Sequence, residues 1–99
     1  MPRLKDLTSG AVSGTGTVNL TKGSRTFGGV MLSTDGTNLG TVVIRKESVS
    51  GEKILEFSSI SSIFIPAPFD ASDTIYYSIT GTSVTAQLFE WAPYRGSRD

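Results

Sequence analysis

The chain contains neither cysteine nor histidine. Without cysteine there is no disulfide and no thiol chemistry, a composition that fits synthesis in a reducing compartment. Without histidine the commonest general base and the commonest transition-metal ligand are missing. There is no excess charge of either sign: nine basic and nine acidic side chains balance to a formal net charge of +0. Long-range attraction for nucleic acid or an anionic membrane is therefore not expected, and no run of charge is long enough to act as a basic or acidic tail. Apolar runs are equally short. None approaches the length of a membrane span or a signal-peptide core, so the expectation is a soluble protein made in the cytosol.

What the sequence does contain is strand grammar. Ninety-nine residues make one domain. Its most legible stretch is 39–57: Thr41 to Ile44 is β-branched, Ser48 to Gly51 is turn-forming, and Lys53 to Phe57 resumes the extended pattern. Two such runs around a Ser/Gly connection predict a β-hairpin. Before it, Arg25 to Ser33 predicts a strand with small or apolar residues on both faces, hence covered on both sides. Gly28-Gly29 inside it marks a bulge or a close backbone approach. After it, Ile63-Phe64-Ile65 predicts a short strand stopped by Pro66 and Pro68. The last two strands alternate most cleanly. Ile75, Tyr77 and Ile79 share one face, Val84, Ala86 and Leu88 another, and Thr80-Gly81-Thr82 between them predicts a second hairpin.

About seven short strands with turn signals between them, and no helical period, predict an all-β fold, an antiparallel sandwich of jelly-roll-like or immunoglobulin-like type. The expected core is Val30, Leu32, Val42, Ile44, Leu55, Ile75, Tyr77, Ile79, Val84, Ala86 and Leu88. Residues 1–17, with glycines at 10, 14 and 16 and few apolar residues, predict a flexible N-terminal assembly arm. The sandwich then spans 18–94, and 95–99 forms a polar tail.

Candidate chemistry is sparse. Gly14-Thr15-Gly16 lacks the strand, helix and Gly-Lys-Ser/Thr ending of a phosphate loop. Asp35, Asn38, Asp70 and Asp73 place oxygen donors in turns, where calcium ligation competes with the simpler role of bonding their own backbone. Glu47, Glu52, Glu56 and Glu90 sit beside positions expected to face water. No catalytic, cofactor-binding or metal-binding residue is assigned, and the expectation is a protein that is not an enzyme and carries no cofactor. The candidate partner-binding residues are Leu4 and Leu7, as anchors of the arm, and Tyr76, Trp91 and Tyr94, as an aromatic platform for a sugar or a protein. For Trp91 the alternative is that it plugs an end of the sandwich.

Residues 25–91 as a whole resemble a family of small all-β virion proteins of tailed bacteriophages. The resemblance runs through Gly29 to Gly36 (G-V-x-L-S-x-D-G), Gly40 to Ile44 (G-T-V-V-I), Ser48 to Leu55 (S-x-S-G-x-K-I-L) and Pro66 to Phe69 (P-x-P-F). It continues through Ile75 to Thr82 (I-Y-Y-S-I-T-G-T) and Ser83 to Phe89 (S-V-T-A-Q-L-F). The extension from Trp91 to Asp99 departs from the pattern. The resemblance implies a capsid decoration (cement) or head-fibre protein on the virion surface. Its partner would be the major capsid protein, with homo-oligomers, trimers in particular, and no nucleic acid or membrane partner. A carbohydrate- or receptor-binding module of a phage fibre is the alternative.

Overall fold

The computed structural model describes residues 3–8, 10–20, 26–70 and 74–92. Among these residues run eight strands: β1 (Arg3–Asp6), β2 (Gly14–Asn19), β3 (Thr26–Ser33), β4 (Gly40–Lys46), β5 (Lys53–Ser59), β6 (Ile63–Asp70), β7 (Thr74–Thr80) and β8 (Thr85–Ala92). They form two antiparallel four-stranded sheets, ordered β1-β8-β3-β6 and β2-β7-β4-β5. We call these the first and second sheets. The all-β sandwich expected from the alternation is the fold observed, within overall dimensions of 43 × 27 × 18 Å.

Residues opposed across an antiparallel ladder share a face, so the registers sort the side chains. In the first sheet Val30 lies opposite Leu88 and Leu32 opposite Ala86. In the second, Val42 lies opposite Ile79 and Phe57, and Ile44 opposite Tyr77 and Leu55. These are the inward faces. Val30, Leu32, Val42, Ile44, Ile75, Ile79, Val84, Ala86 and Leu88 are buried as expected, and Leu55 and Tyr77 pack partly buried against them. Leu20 and Phe27 complete the layer. Fully burying one such aliphatic or aromatic side chain contributes about 1.5–3 kcal/mol.

Phe27 is there because of a bulge. Strict alternation would place it with Gly29 and Met31, but the register of β3 shifts between Phe27 and Gly29 against both neighbours. Against β8 the extra residue is Gly28, and it rotates Phe27 onto the face of Val30 and Leu32. Met31 is left on the outer face, 37% exposed, so β3 is covered on both sides at the buried Gly28-Gly29 but on one side only at Met31.

The β4–β5 hairpin forms as expected. It is also the one connection that stays within a sheet, since every other pair of consecutive strands divides between the two sheets. The hairpin expected between the last two strands is therefore not formed. β7 pairs with β2 and β4, while β8 pairs with β1 and β3. The turn at Thr80-Gly81-Thr82 instead carries the chain across the end of the core.

Two further expectations are corrected. Pro66 and Pro68 do not stop β6, which runs on to Asp70. It is an edge strand, and residues two apart direct their backbone nitrogens to the same side, so two prolines in alternation fit an edge whose outer side is unpaired. The N-terminal stretch is not an arm outside the sandwich either. β1 pairs with β8, Val12 bridges Ala86, and β2 runs in register with β7 over its whole length. Of its glycines, Gly16 serves packing. Gly16 lies opposite Tyr77, and a β-carbon on it would fall 2.7 Å from the Tyr77 Oη, so the bulk of that pair comes from one side only.

Two outcomes follow from these registers. Ile79→Ala should cost roughly 2–4 kcal/mol and Ser78→Ala less than about 0.5 kcal/mol by denaturant unfolding; equal costs would mean that the faces of β7 are inverted. Deleting residues 1–9 should lower the thermal midpoint, because it strips β8 of its outer partner. An unchanged midpoint would show that β1 adds nothing to the sheet.

Candidate functional site

The acidic side chains separate into distinct environments. Glu47, Glu52 and Glu56 are exposed, as expected. Glu52 lies 3.5 Å from Lys46 Nζ, and Glu56 accepts a hydrogen bond from Lys53. That bond, with the charges of Lys53 and then Arg45, holds the Glu56 carboxyl below the usual glutamate range. Glu90 is the exception to the expectation of solvated acids. It continues the inward parity of Val84, Ala86 and Leu88 and is 0% exposed, at the register position opposite Phe27 on β3 and Lys5 on β1.

Asp35 binds its own turn. Its Oδ1 accepts the backbone N–H of Thr37 and of Asn38, at 2.9 and 2.8 Å, and its Oδ2 accepts the Asn38 side-chain amide at 2.7 Å. Those bonds, led by the Asn38 backbone, hold its carboxyl below the usual aspartate range. Of the other turn oxygens, the side chain of Asp70 and all of Asp73 lie outside the described residues. No cluster of metal-binding side chains occurs among the described residues. Gly14-Thr15-Gly16 lies within β2 and is strand rather than loop.

The two outer faces differ sharply in chemistry. On the second sheet the outer face carries Thr15, Thr17 and Asn19 from β2 and Thr74, Tyr76, Ser78 and Thr80 from β7. β4 and β5 add Thr41, Val43, Arg45, Lys53, Glu56 and Ser58. It is laced by polar bonds across strands: Thr74 Oγ1 donates to Asn19 Oδ1 at 2.9 Å, and the Thr41 and Ser58 hydroxyls lie 2.8 Å apart. The outer face of the first sheet is apolar over most of its extent. Its successive rows are Leu4 and Trp91; Asp6, Phe89, Gly29 and Pro66; Gln87, Met31 and Phe64; and, at the polar end, Thr85 and Ser33.

The Gly28-Gly29 bulge lies at the centre of that apolar face. A β-carbon on Gly28 would fall 2.6 Å from Leu4 Cδ2, and one on Gly29 would fall 3.0 Å from Phe64 Cζ. Leu4 therefore reaches over β3 from one edge strand, and Phe64 from the other. With no side chain between them at Gly29, the Phe64 and Phe89 rings meet edge to face, with centroids 5.9 Å apart and planes at 76°, a favourable aromatic geometry. Leu4 is 38% exposed and Met31 37%; Phe64, Phe89 and Trp91 are half-buried and Pro66 is exposed. Asp6, at the margin, is already engaged: its carboxylate accepts the N–H groups of Thr8 and Gly10 and the Gln87 amide.

Of the residues singled out from sequence, Leu4 and Trp91 are brought together, directly opposite each other on β1 and β8. Leu7 is not an anchor of a mobile arm: its N–H donates to the Leu88 carbonyl at 2.8 Å and its side chain packs against the core. Tyr76 lies on the opposite sheet from Trp91, so the two cannot form one platform. Tyr94 lies outside the described residues. Phe64, Phe89 and Met31 were not singled out, although Phe89 stands two residues before Trp91 in an alternating strand and must share its face. No protein-family model, curated protein or solved structure matches the chain.

The bulge and the Asp35 turn each yield a test. Gly29→Ala should cost about 1–3 kcal/mol, since φ at Gly29 is +148° and the added carbon would lie 2.6 Å from the Ile65 carbonyl oxygen. Gly28→Ala should cost less, because its nearest obstacle is the movable end of Leu4; the reverse order would place the strain elsewhere in the bulge. The folded-state pKa of Asp35 lies below that of the unfolded chain. Its carboxylate therefore adds stability at neutral pH that is lost as pH falls through the folded value. The stability gap between wild type and Asp35→Asn should shrink on acidification below the usual aspartate range, and parallel curves would contradict this.

Proposed function

We propose that the chain is a non-enzymatic virion structural protein, a capsid decoration (cement) protein that binds the outer surface of a bacteriophage capsid and stabilises it. The observation that carries this reading is the contrast between the two outer faces. The first sheet presents Leu4, Met31, Phe64, Pro66, Phe89 and Trp91 to the outside, while the second presents hydroxyls and paired charges. An apolar aromatic face rimmed by polar residues is the anatomy of a protein-binding surface. A sandwich that docks through its first sheet would leave the hydroxyl-rich second sheet toward solvent. The partner would be the major capsid protein, engaged by many copies of this chain as a homo-oligomer at the surface of the virion.

We further infer that the sandwich is of the jelly-roll type. Each strand pairs with the one whose number brings the sum to nine: β1 with β8, β2 with β7, β3 with β6 and β4 with β5. That is one long hairpin rolled into two Greek keys, an architecture that viral capsid and lectin domains share. In the immunoglobulin arrangement the first two strands share a sheet; here they do not. The fold supports the reading by analogy alone, since one fold hosts many functions.

A sugar-binding fibre module is the second reading, favoured by the aromatic row on the first sheet. It is the weaker of the two because the nearest carboxylate, Asp6, is occupied by the chain's own N–H groups, and a sugar ring needs polar partners beside the aromatic one.

The test is stoichiometry. In particles of the phage that encodes it, the protein should be present in a fixed ratio to the major capsid protein, and Met31→Glu should abolish its attachment while leaving the circular dichroism spectrum unchanged. Absence from particles, or presence only in the few copies of a tail fibre, would overturn the assignment.

A further inference from the structure

Among the described residues four strands stand at sheet edges, and three of them carry features that hinder another strand from adding on. β1 is four residues long and contains Arg3, Lys5 and Asp6. β6 contains Pro66 and Pro68. β5 carries the Lys53–Glu56 ion pair and meets β4 through a register shift. Short length, charge, proline and bulging are the means by which natural sheets protect their edges. β2 has none of them. It is six residues long, Gly-Thr-Gly-Thr-Val-Asn, uncharged, free of proline, and in unbroken register with β7.

We propose that β2 is a strand-addition edge whose occupant is β2 of a second copy of this chain, joining the two second sheets into one continuous eight-stranded sheet. Two features select a second copy. The edge carries no charge and the chain no net charge, so two copies approach without repulsion, either local or long-range. The edge is also compatible with its own sequence. Antiparallel pairing about a two-fold axis normal to the sheet keeps like faces together, and opposed residues must share a face. The axis then passes through a residue rather than between two. Placed at Gly16, it sets Thr15 opposite Thr17 of the partner subunit; placed at Thr17, it sets that residue opposite its own counterpart. Either register forms a threonine pair on the outer face, a favourable cross-strand combination. The contact involves the sheet opposite the one proposed to meet a capsid, so it stands or falls independently of that reading and can be tested on the isolated protein.

Sedimentation velocity of the full chain, from low micromolar to near-millimolar concentration, should show a monomer–dimer equilibrium. Thr17→Lys sets like charges close to the axis in both registers and should weaken the dimer at least about tenfold, with the fold retained. Ser58→Lys, an equally exposed change on the β5 edge, should leave the dimer unaffected. Hydrogen exchange of wild-type β2 amides, read at low and high concentration, gives a second measurement that needs no variant, and protection should rise as the dimer forms. A monomer at every concentration would overturn the proposal, leaving the edge to an extended segment of some other protein. A dimer indifferent to Thr17→Lys, a trimer in place of a dimer, or exchange at β2 that is independent of concentration would overturn it equally.

Discussion

The structure depends on a single aliphatic layer shared by two sheets. Val30, Leu32, Ala86 and Leu88 face inward from one, Val42, Ile44, Ile75 and Ile79 from the other. A four-stranded sheet with one apolar face has nowhere to hide it except against another such face. In a chain this short both sheets have to contribute to it, chiefly through β3, β4, β7 and β8. The alternation between sheets follows from that requirement. By crossing layers at each connection but one, the chain places consecutive strands on opposite sides of the same core. The β4–β5 hairpin is the point at which the chain reverses. From it, strands added toward either terminus pair with one another, ending with β1 against β8.

Glycine has a structural role in this protein that its reputation for flexibility conceals. Gly16 makes room for Tyr77 on the inner face of the second sheet, and the Gly28-Gly29 bulge clears the middle of the first sheet's outer face. The second effect joins the core to the proposed docking face. The same extra residue that turns Phe27 into the core leaves a side-chain-free floor over which Leu4, Phe64 and Phe89 converge. One local insertion therefore completes the interior and assembles the exterior apolar face. The two outer faces consequently differ in kind, one bound up in hydroxyl and ionic contacts of its own, the other presenting aromatic and aliphatic surface.

The sequence by itself determined the class of fold, the inward parity of its clearest strands and nearly all of the aliphatic core. A period of two assigns faces without reference to any partner, as Ile75 to Ile79 and Val84 to Leu88 show. It also located the β4–β5 hairpin and the irregularity at Gly28-Gly29. Only the tertiary structure decided which strands pair. A short glycine turn between two alternating strands is equally able to close a hairpin or to cross a sandwich, because the local dihedral angles are similar and the distinction rests on where distant strands already lie. Residues 14–19 are strand because they pair in register with β7, where Tyr77 fills the space that Gly16 leaves, a complementarity not visible from either segment alone. Proline at 66 and 68 is tolerated because β6 became an edge, and Glu90 is buried because the parity of β8 carries through to its end. The candidate surface was half legible for the same reason. Trp91 and Leu4 were noticed as residues, but their union with Phe64 and Met31, and the separation of Tyr76 onto the opposite sheet, required the registers that only the folded chain supplies.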